Sequence, residues 1–205
     1  MQLTEVQRDA LVELLNIGFG RAGASLSKLT NQRVLLEVPH VAVHPVTDLE
    51  KHLALVVDDE VASVHQAFFG PVGGDALLIL DPTAAAALKE LLTNEPALPL
   101  ALDASSREVL VEVGNILLNA CLGTFGNLLD VPITFAVPDI DIATLQSVVQ
   151  RLIGPADESF RYALVVTAGF RLRDAEVTGF VVMVLTVQSL TRLLVAVEGW
   201  ERRQH

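Results

Sequence analysis

One spacing of polar residues occurs twice in this chain, and the repetition constrains the fold more than any other feature. Each copy holds an acidic residue, a glutamate, an asparagine and a proline: Asp9, Glu13, Asn16 and Pro39 in the first, and Glu108, Glu112, Asn115 and Pro138 in the second. The copies lie 99 positions apart in a chain of 205 residues, and 22 residues separate the asparagine from the proline in both. The duplication predicts two similar halves in a pseudo-twofold arrangement, since two copies are too few for a solenoid.

The pattern of apolar residues predicts the same order of elements in both halves: helix, strand, hairpin, helix. In the first half we expect a helix over 4–29, strands over 33–39, 61–69 and 75–80, and a helix over 82–93. Thr4 and Gln7 have the spacing of a capping box at the start of the first helix. In the second half we expect a helix from 105 to at least 122, a strand over 131–137, a short helix over 143–152, strands over 160–172 and 179–185, and a helix over 186–199.

These elements predict an α+β fold with two long helices packed on a shared, mostly antiparallel six-stranded sheet, together with additional short helices. Each half is too small to bury a sufficient core alone, so we expect one domain over 1–205. Its two structural repeats would cover about 1–93 and 103–205, joined by a connector over 94–102 that contains two prolines.

Composition excludes several classes of protein. A hydrophobic content of 51% excludes a mainly disordered chain, and one cysteine, Cys121, excludes internal disulfides. A formal net charge of -11 argues against nucleic acid as a partner. Charged or amide residues interrupt every apolar run before the roughly 18 residues that a bilayer span requires, so we expect no membrane association. The first residues lack the pattern of a secretory signal, which favours a cytoplasmic location.

The repeated polar residues share one face of each long helix. Asp9, Glu13 and Asn16 are spaced i, i+4 and i+7, which confines them to an arc of about 60°. Apolar residues, Ala10, Leu14 and Ile17, are expected on the opposite, core-facing side. The polar stripe should therefore face solvent or a partner, and an ordinary solvated helix face is the alternative. In the second copy Asn119 stands where the first has Gly20.

The motif resembles that of the CheC, CheX and FliY chemotaxis phosphatases, in which Asp or Ser, Glu, Asn and Pro occur at these intervals. The first copy fits it fully, and the second departs only at Glu108. Two copies within 205 residues resemble the CheC arrangement. The resemblance implies a CheC-like fold and a phosphatase of two-component signalling that hydrolyses the aspartyl phosphate of a CheY-like response regulator.

The resemblance also implies roles for the residues. Asn16 and Asn115 would orient the attacking water, while Glu13 and Glu112 would dock to the lysine of the regulator's active site. Magnesium would belong to the phosphorylated partner, so no metal or other cofactor is expected in this chain. Supporting roles fall to four residues, Asp9, Glu108, Pro39 and Pro138. Both prolines are expected to end strands, and Ser105 with Glu108 has the spacing of a capping box, which gives Glu108 a structural role.

Other interpretations of the same features stay open. The chain could be a non-catalytic signalling adaptor that binds a response regulator or a CheD-like deamidase. A flagellar-switch role is less favoured, because the two motifs occupy both halves. His40 and His44 are expected at the surface rather than in a metal site. Self-association through an edge strand, and hence the oligomeric state, is left undecided by the sequence.

Overall fold

The computed structural model describes residues 2–93, 103–153, 161–172 and 175–204, so the expected connector over 94–102 lies outside the described residues. The helices are α1 (Glu5–Thr30), α2 (Leu49–Leu53), α3 (Pro82–Thr93), α4 (Ala104–Leu129), α5 (Leu145–Ile153) and α6 (Val187–Gln204), and a short 3-10 turn covers Val46–Asp48. The strands are β1 (Val34–Pro45), β2 (Glu60–Phe69), β3 (Gly74–Leu80), β4 (Thr134–Phe135), β5 (Asp139–Thr144), β6 (Arg161–Leu172) and β7 (Ala175–Thr186). The order of elements confirms the predicted α+β class.

The strands form a single antiparallel sheet in the order β1-β6-β7-β3-β2-β4, with β5 also paired to β2. Because β4 and β5 occupy the same edge position beside β2, the seven strands fill six positions. This agrees with the predicted six-stranded sheet. Strands from both halves of the chain alternate across it, since β6 and β7 lie between β1 and β3.

The two long helices pack against each other and against one face of the sheet. The expected capping box of α1 is present: Thr4 accepts from Gln7 N, and Gln7 Oε1 accepts from Thr4 N. Residues 11, 15 and 19 of α1 are fully buried, as the helical spacing of Leu11, Leu15 and Phe19 requires. Helices α1, α3, α4 and α6 contribute to this core, which packs the long helices onto the sheet.

A smaller hydrophobic cluster covers the other face of the sheet. It contains Leu49 and Leu53 of α2 and Val148 and Val149 of α5, together with the sheet residue Ile79. The sequence did not predict α2, because its five residues are too few to show a helical period.

The predicted strand end at Pro39 is wrong. Pro39 does not end a strand, because β1 continues through it to Pro45. Glu37 pairs with Gly169 and His40 pairs with Thr167, so two residues of β1 lie opposite one residue of β6. Such a β-bulge accommodates a proline, which has no N–H to donate to the ladder.

In the second half, the predicted strand over 131–137 is shorter than expected. Only β4, two residues long, forms there, and Pro138 lies between β4 and β5. Strand β5 was not predicted at all. The strand pairing is interrupted at Pro138 much as it is at Pro39. Residues 136–138 lie between β4 and β5 and are not in register with a residue of β2.

Helix α4 is long and apolar enough to cross a membrane by length and composition, with a hydropathy of 1.5 over an 18-residue window. It is the one such helix among the described residues. However, 56% of that window is buried, and α4 contacts α1, α6 and β2. A core helix meets the same criteria, so this finding is weak support for a membrane span.

The burial of Cys121 agrees with the expectation, whereas that of His44 does not. Cys121 is fully buried, as expected for a small apolar side chain, and burial raises the pKa of its thiol. His44 was expected at the surface but is partly buried, and its ring stacks on His52 with centroids 3.7 Å apart. Burial and the neighbouring His52 lower the pKa of His44.

An ion-pair network stabilises the second face of the sheet. Asp75 Oδ1 lies 3.0 Å from His65 Nε2, and its Oδ2 lies 2.9 Å from Arg161 Nη2. Arg161 also donates to the carbonyl of Leu152 at the end of α5. The hydrogen bond from His65, with added attraction to Arg161, holds the pKa of Asp75 below its ordinary value of 3.8 although burial opposes this shift.

We expect Asp75→Ala to lower the free energy of unfolding at pH 7 by about 1 to 3 kcal/mol. The carboxylate stabilises the fold above its ordinary pKa, and this stabilisation is lost as the pH falls through the lower pKa of the folded state. The difference from wild type should therefore shrink as the pH falls below 3.8. Denaturant unfolding at several pH values measures this, with Asp139→Ala as a control, because Asp139 is an exposed aspartate that lines the same surface pocket as Asp75. If the difference in free energy of unfolding between Asp75→Ala and wild type did not change with pH, the lowered pKa of Asp75 would be contradicted.

Candidate functional site

The structure places each copy of the motif on an exposed stripe of a long helix. On α1, Asp9 and Glu13 are exposed and Asn16 is partly buried. The corresponding residues of α4 have the same environments: Glu108 and Glu112 are exposed, and Asn115 is partly buried. Each helix therefore presents carboxylates to solvent, with an amide at the end of the row. Ile17, expected to face the core, is instead 43% exposed beside Asn16.

In the first copy, the helix and the bulged strand meet at Asn16. The carboxamide Oδ1 of Asn16 accepts a hydrogen bond of 2.8 Å from the backbone N–H of Val38, which directly precedes Pro39 in the bulge. A backbone N–H can only donate, so this bond fixes the oxygen of the amide toward the strand. The spacing from Asn16 to Pro39 thus has a physical basis, because it brings the bulge under the amide.

In the second copy, Asn115 is held by side chains rather than by the strand. Its Oδ1 accepts from Asn119 Nδ2 at 2.8 Å and from Gln66 Nε2 at 3.4 Å. Gln66 also donates to the carbonyl of Ala136, at the interruption between β4 and β5. The equivalence of the two copies in sequence therefore does not extend to the partners of the two amides.

Sequence reasoning missed Gln66, which is buried beneath α4 with 1% exposure. A signal for it was present, since it interrupts an alternating row of buried apolar residues on β2 formed by Ala62, Val64 and Phe68. A polar side chain at such a position normally has a buried hydrogen-bond partner.

The capping role expected for Glu108 is wrong. The N-cap of α4 is Asp103, whose Oδ1 accepts from Ser106 N at 2.8 Å and from Ser106 Oγ at 2.6 Å. These bonds hold the pKa of Asp103 below its ordinary value. Glu108 lies in the exposed row one turn before Glu112, so its carboxylate faces solvent rather than the start of the helix.

The glutamates of the two stripes are available to a partner. Within the described ranges, neither Glu13 nor Glu112 forms an ion pair with another side chain of this chain. The same part of the chain contains no group of three His, Cys, Asp or Glu side chains that could hold a metal ion. The arrangement thus offers two surfaces that each combine unpaired carboxylates with a fixed carboxamide.

Comparison with known proteins agrees with this fold. The chain is 24% identical to the CheY-P phosphatase CheC of Bacillus subtilis over 199 residues, which cover 95% of each protein. It is 29% identical over 90 residues to the flagellar motor switch phosphatase FliY of the same organism, covering 44% of this chain and 23% of that protein. The crystal structure of Thermotoga maritima FliY superposes with a TM-score of 0.78 at 17% identity, covering 96% of this chain and 98% of the other. No family model matches.

The sheet with two long helices on one face defines a protein with the fold of the FliY structure. Similarity along nearly the whole chain to CheC extends this from the fold to the sequence. The chain is therefore similar to proteins of the CheC/CheX/FliY family, in sequence to CheC and in fold to FliY.

Proposed function

We propose that the protein hydrolyses the aspartyl phosphate of a CheY-like response regulator, with Asn16 and Asn115 orienting the attacking water. The observation that carries this proposal is the fixed amide at the end of each exposed acidic row. The names of the relatives support it, since the CheC and FliY proteins of Bacillus subtilis are both described as phosphatases.

The reaction requires alignment more than a new covalent intermediate. Water attacks phosphorus while the bond from phosphorus to the aspartyl carboxylate oxygen breaks, and the proton of the water leaves with the phosphate. A carboxamide can accept a hydrogen bond from the water through its oxygen and donate to a phosphoryl oxygen through its amino group. Among the described residues Asn16 Oδ1 has one partner, Val38 N, so a second acceptor position and the amino group are available.

The carboxylates account for docking in this proposal. Glu13 and Glu112 would pair with the lysine of the regulator's active site, and Asp9 and Glu108 would extend the negative surface along each helix. Magnesium would be supplied by the phosphorylated regulator, where it would neutralise charge on the phosphoryl oxygens.

We expect Glu13→Gln combined with Glu112→Gln to raise the KM for the phosphorylated regulator about tenfold, because each change removes a charge from an interfacial pair. The turnover number should change less, since the amides are unaltered. Glu90→Gln is the matched control, because Glu90 is an exposed glutamate on α3 and belongs to neither stripe. An unchanged KM in the double variant would contradict the docking role.

The proposed function is tested by phosphate release from a phosphorylated CheY-like regulator with and without the wild-type protein, with binding measured on the same samples. Faster release that is catalytic in this protein supports the proposal. Binding without faster release would instead indicate a non-catalytic adaptor. In that case binding to a CheD-like deamidase becomes the next measurement.

A further inference from the structure

The two amides differ in the number of hydrogen bonds that their oxygens accept. A carbonyl oxygen accepts two hydrogen bonds at most in ordinary geometry. Within the described residues, Asn16 Oδ1 accepts one, whereas Asn115 Oδ1 accepts two, from Asn119 and Gln66. Since water must donate to this oxygen to be oriented by it, only the first site has an acceptor position available.

The two amide oxygens accept different numbers of hydrogen bonds because different residues occupy the equivalent positions around Asn16 and Asn115. Gly20 lies four residues after Asn16, where Asn119 lies four residues after Asn115. Ala168 of β6 lies opposite the bulge of β1, where Gln66 of β2 lies opposite the interruption between β4 and β5. The first site therefore lacks both side chains that hold the amide in the second.

The strand beneath the amide differs as well. Val38, which donates to Asn16, is 3% exposed, whereas its counterpart Val137 is 89% exposed. Helix α4 lies close to β2, because a Cβ at Gly114 would be 2.5 Å from Val64 Cγ1. This close approach brings Asn115 within reach of Gln66, two residues further along the same face of β2.

The arrangement around Asn115 leaves acceptors without donors. Gln66 Oε1 and Asn119 Oδ1 are both buried and have no hydrogen-bond partner among the described residues. Leaving a buried acceptor unpaired is unfavourable, so the arrangement is not explained by stability alone. As a consequence of this arrangement, the amino groups of Gln66 and Asn119 both donate to Asn115 Oδ1.

Building on the proposed function, we propose that Gln66 and Asn119 are positioning residues that fix the Asn115 oxygen inward, so that the second site binds a phosphoryl oxygen through the Asn115 amino group but orients water poorly. The first site, with a free acceptor position, then carries most of the turnover. Asn16→Ala should reduce the turnover number more than Asn115→Ala does.

The test alters the residue four positions after each amide, which is Asn119 in the second site and Gly20 in the first. In an Asn16→Ala background, where only the second site remains, Asn119→Ala frees one acceptor position on Asn115. We expect the turnover number to rise about fivefold, the value of roughly one neutral hydrogen bond, with KM for the phosphorylated regulator nearly unchanged. Asn127→Ala, an exposed asparagine on the same helix, is the control and should change neither.

The reciprocal exchange uses the first site alone, in an Asn115→Ala background. A Cβ at Gly20 has no heavy atom within 4 Å, so Gly20→Asn can be accommodated and supplies the donor that Asn119 provides in the second site. We expect the turnover number to fall about fivefold, whereas Gly20→Ala, which adds no donor, should leave it unchanged.

The outcomes separate this inference from the proposed function. If the wild-type protein does not accelerate phosphate release, the proposed function and this inference both fail. If wild type is active but Asn119→Ala lowers or does not change turnover, only the inference fails. A thermal unfolding midpoint for each variant close to that of its background shows that a change in turnover does not arise from unfolding.

Discussion

Replacement of both Asn16 and Asn115 by alanine is expected to reduce the catalysed rate of phosphate release from the regulator by at least about 100-fold. This is the effect of removing one preorganised group that acts in the transition state. In the proposed mechanism each amide serves its own site, so the double variant loses both sites, while each single variant retains one. Both amides are only partly buried and neither belongs to the hydrophobic core, so their removal should leave that core intact.

The measurement is the initial rate of phosphate release at saturating phosphorylated regulator, corrected for spontaneous loss. Asn127→Ala controls for the loss of an asparagine from α4 and should match wild type. Retention of the wild-type rate by the double variant would show that neither amide orients the water. Binding of the regulator should persist in the double variant, because Glu13 and Glu112 are still present.

Substitution of Gly18 by valine should destabilise the protein by about 3 kcal/mol through overpacking. A Cβ at Gly18 would lie 2.7 Å from Thr124 Oγ1 and 2.9 Å from the backbone oxygen of Ala120. The Ala120 oxygen belongs to the backbone of α4 and cannot rotate away. Helices α1 and α4 must therefore separate, and the contacts that hold both stripes over the sheet weaken.

Gly20→Val is the matched control, because it lies two residues further along the same helix and a Cβ there meets no atom within 4 Å. It should change the free energy of unfolding by less than about 1 kcal/mol. Chemical denaturation of both variants provides the comparison. Equal stability of the two variants would contradict the close crossing of α1 and α4 at Gly18.

Structural features that depend only on residues close together in the sequence, such as helix caps, were the most predictable. The capping box of α1 involves Thr4 and Gln7 alone, and it is found as expected. At α4 the N-cap is Asp103 rather than the expected Ser105. Asp103 and Ser106 lie three residues apart, as Ser105 and Glu108 do, so the spacing alone did not identify the residue that caps the helix.

Features set by distant residues were not predictable. The bulge at Pro39 depends on pairing with β6, more than 100 residues later, so the sequence indicated a strand end instead. The hydrogen-bond partners of Gln66 were not predictable for the same reason, since Asn115 and Ala136 lie 49 and 70 residues away. The motif identified where the amides are, but the hydrogen bonds that distinguish the two sites required the structure.

The proposed mechanism requires both carboxamides to enter the phosphorylated pocket of a regulator. The most direct measurement follows the side-chain amide resonances of Asn16 and Asn115 by NMR while isotope-labelled protein is titrated with a regulator carrying a stable mimic of aspartyl phosphate. We expect both resonances to shift with the phosphate mimic and to shift far less with the unmodified regulator. Binding of the mimic-bearing regulator with both resonances unchanged would contradict it.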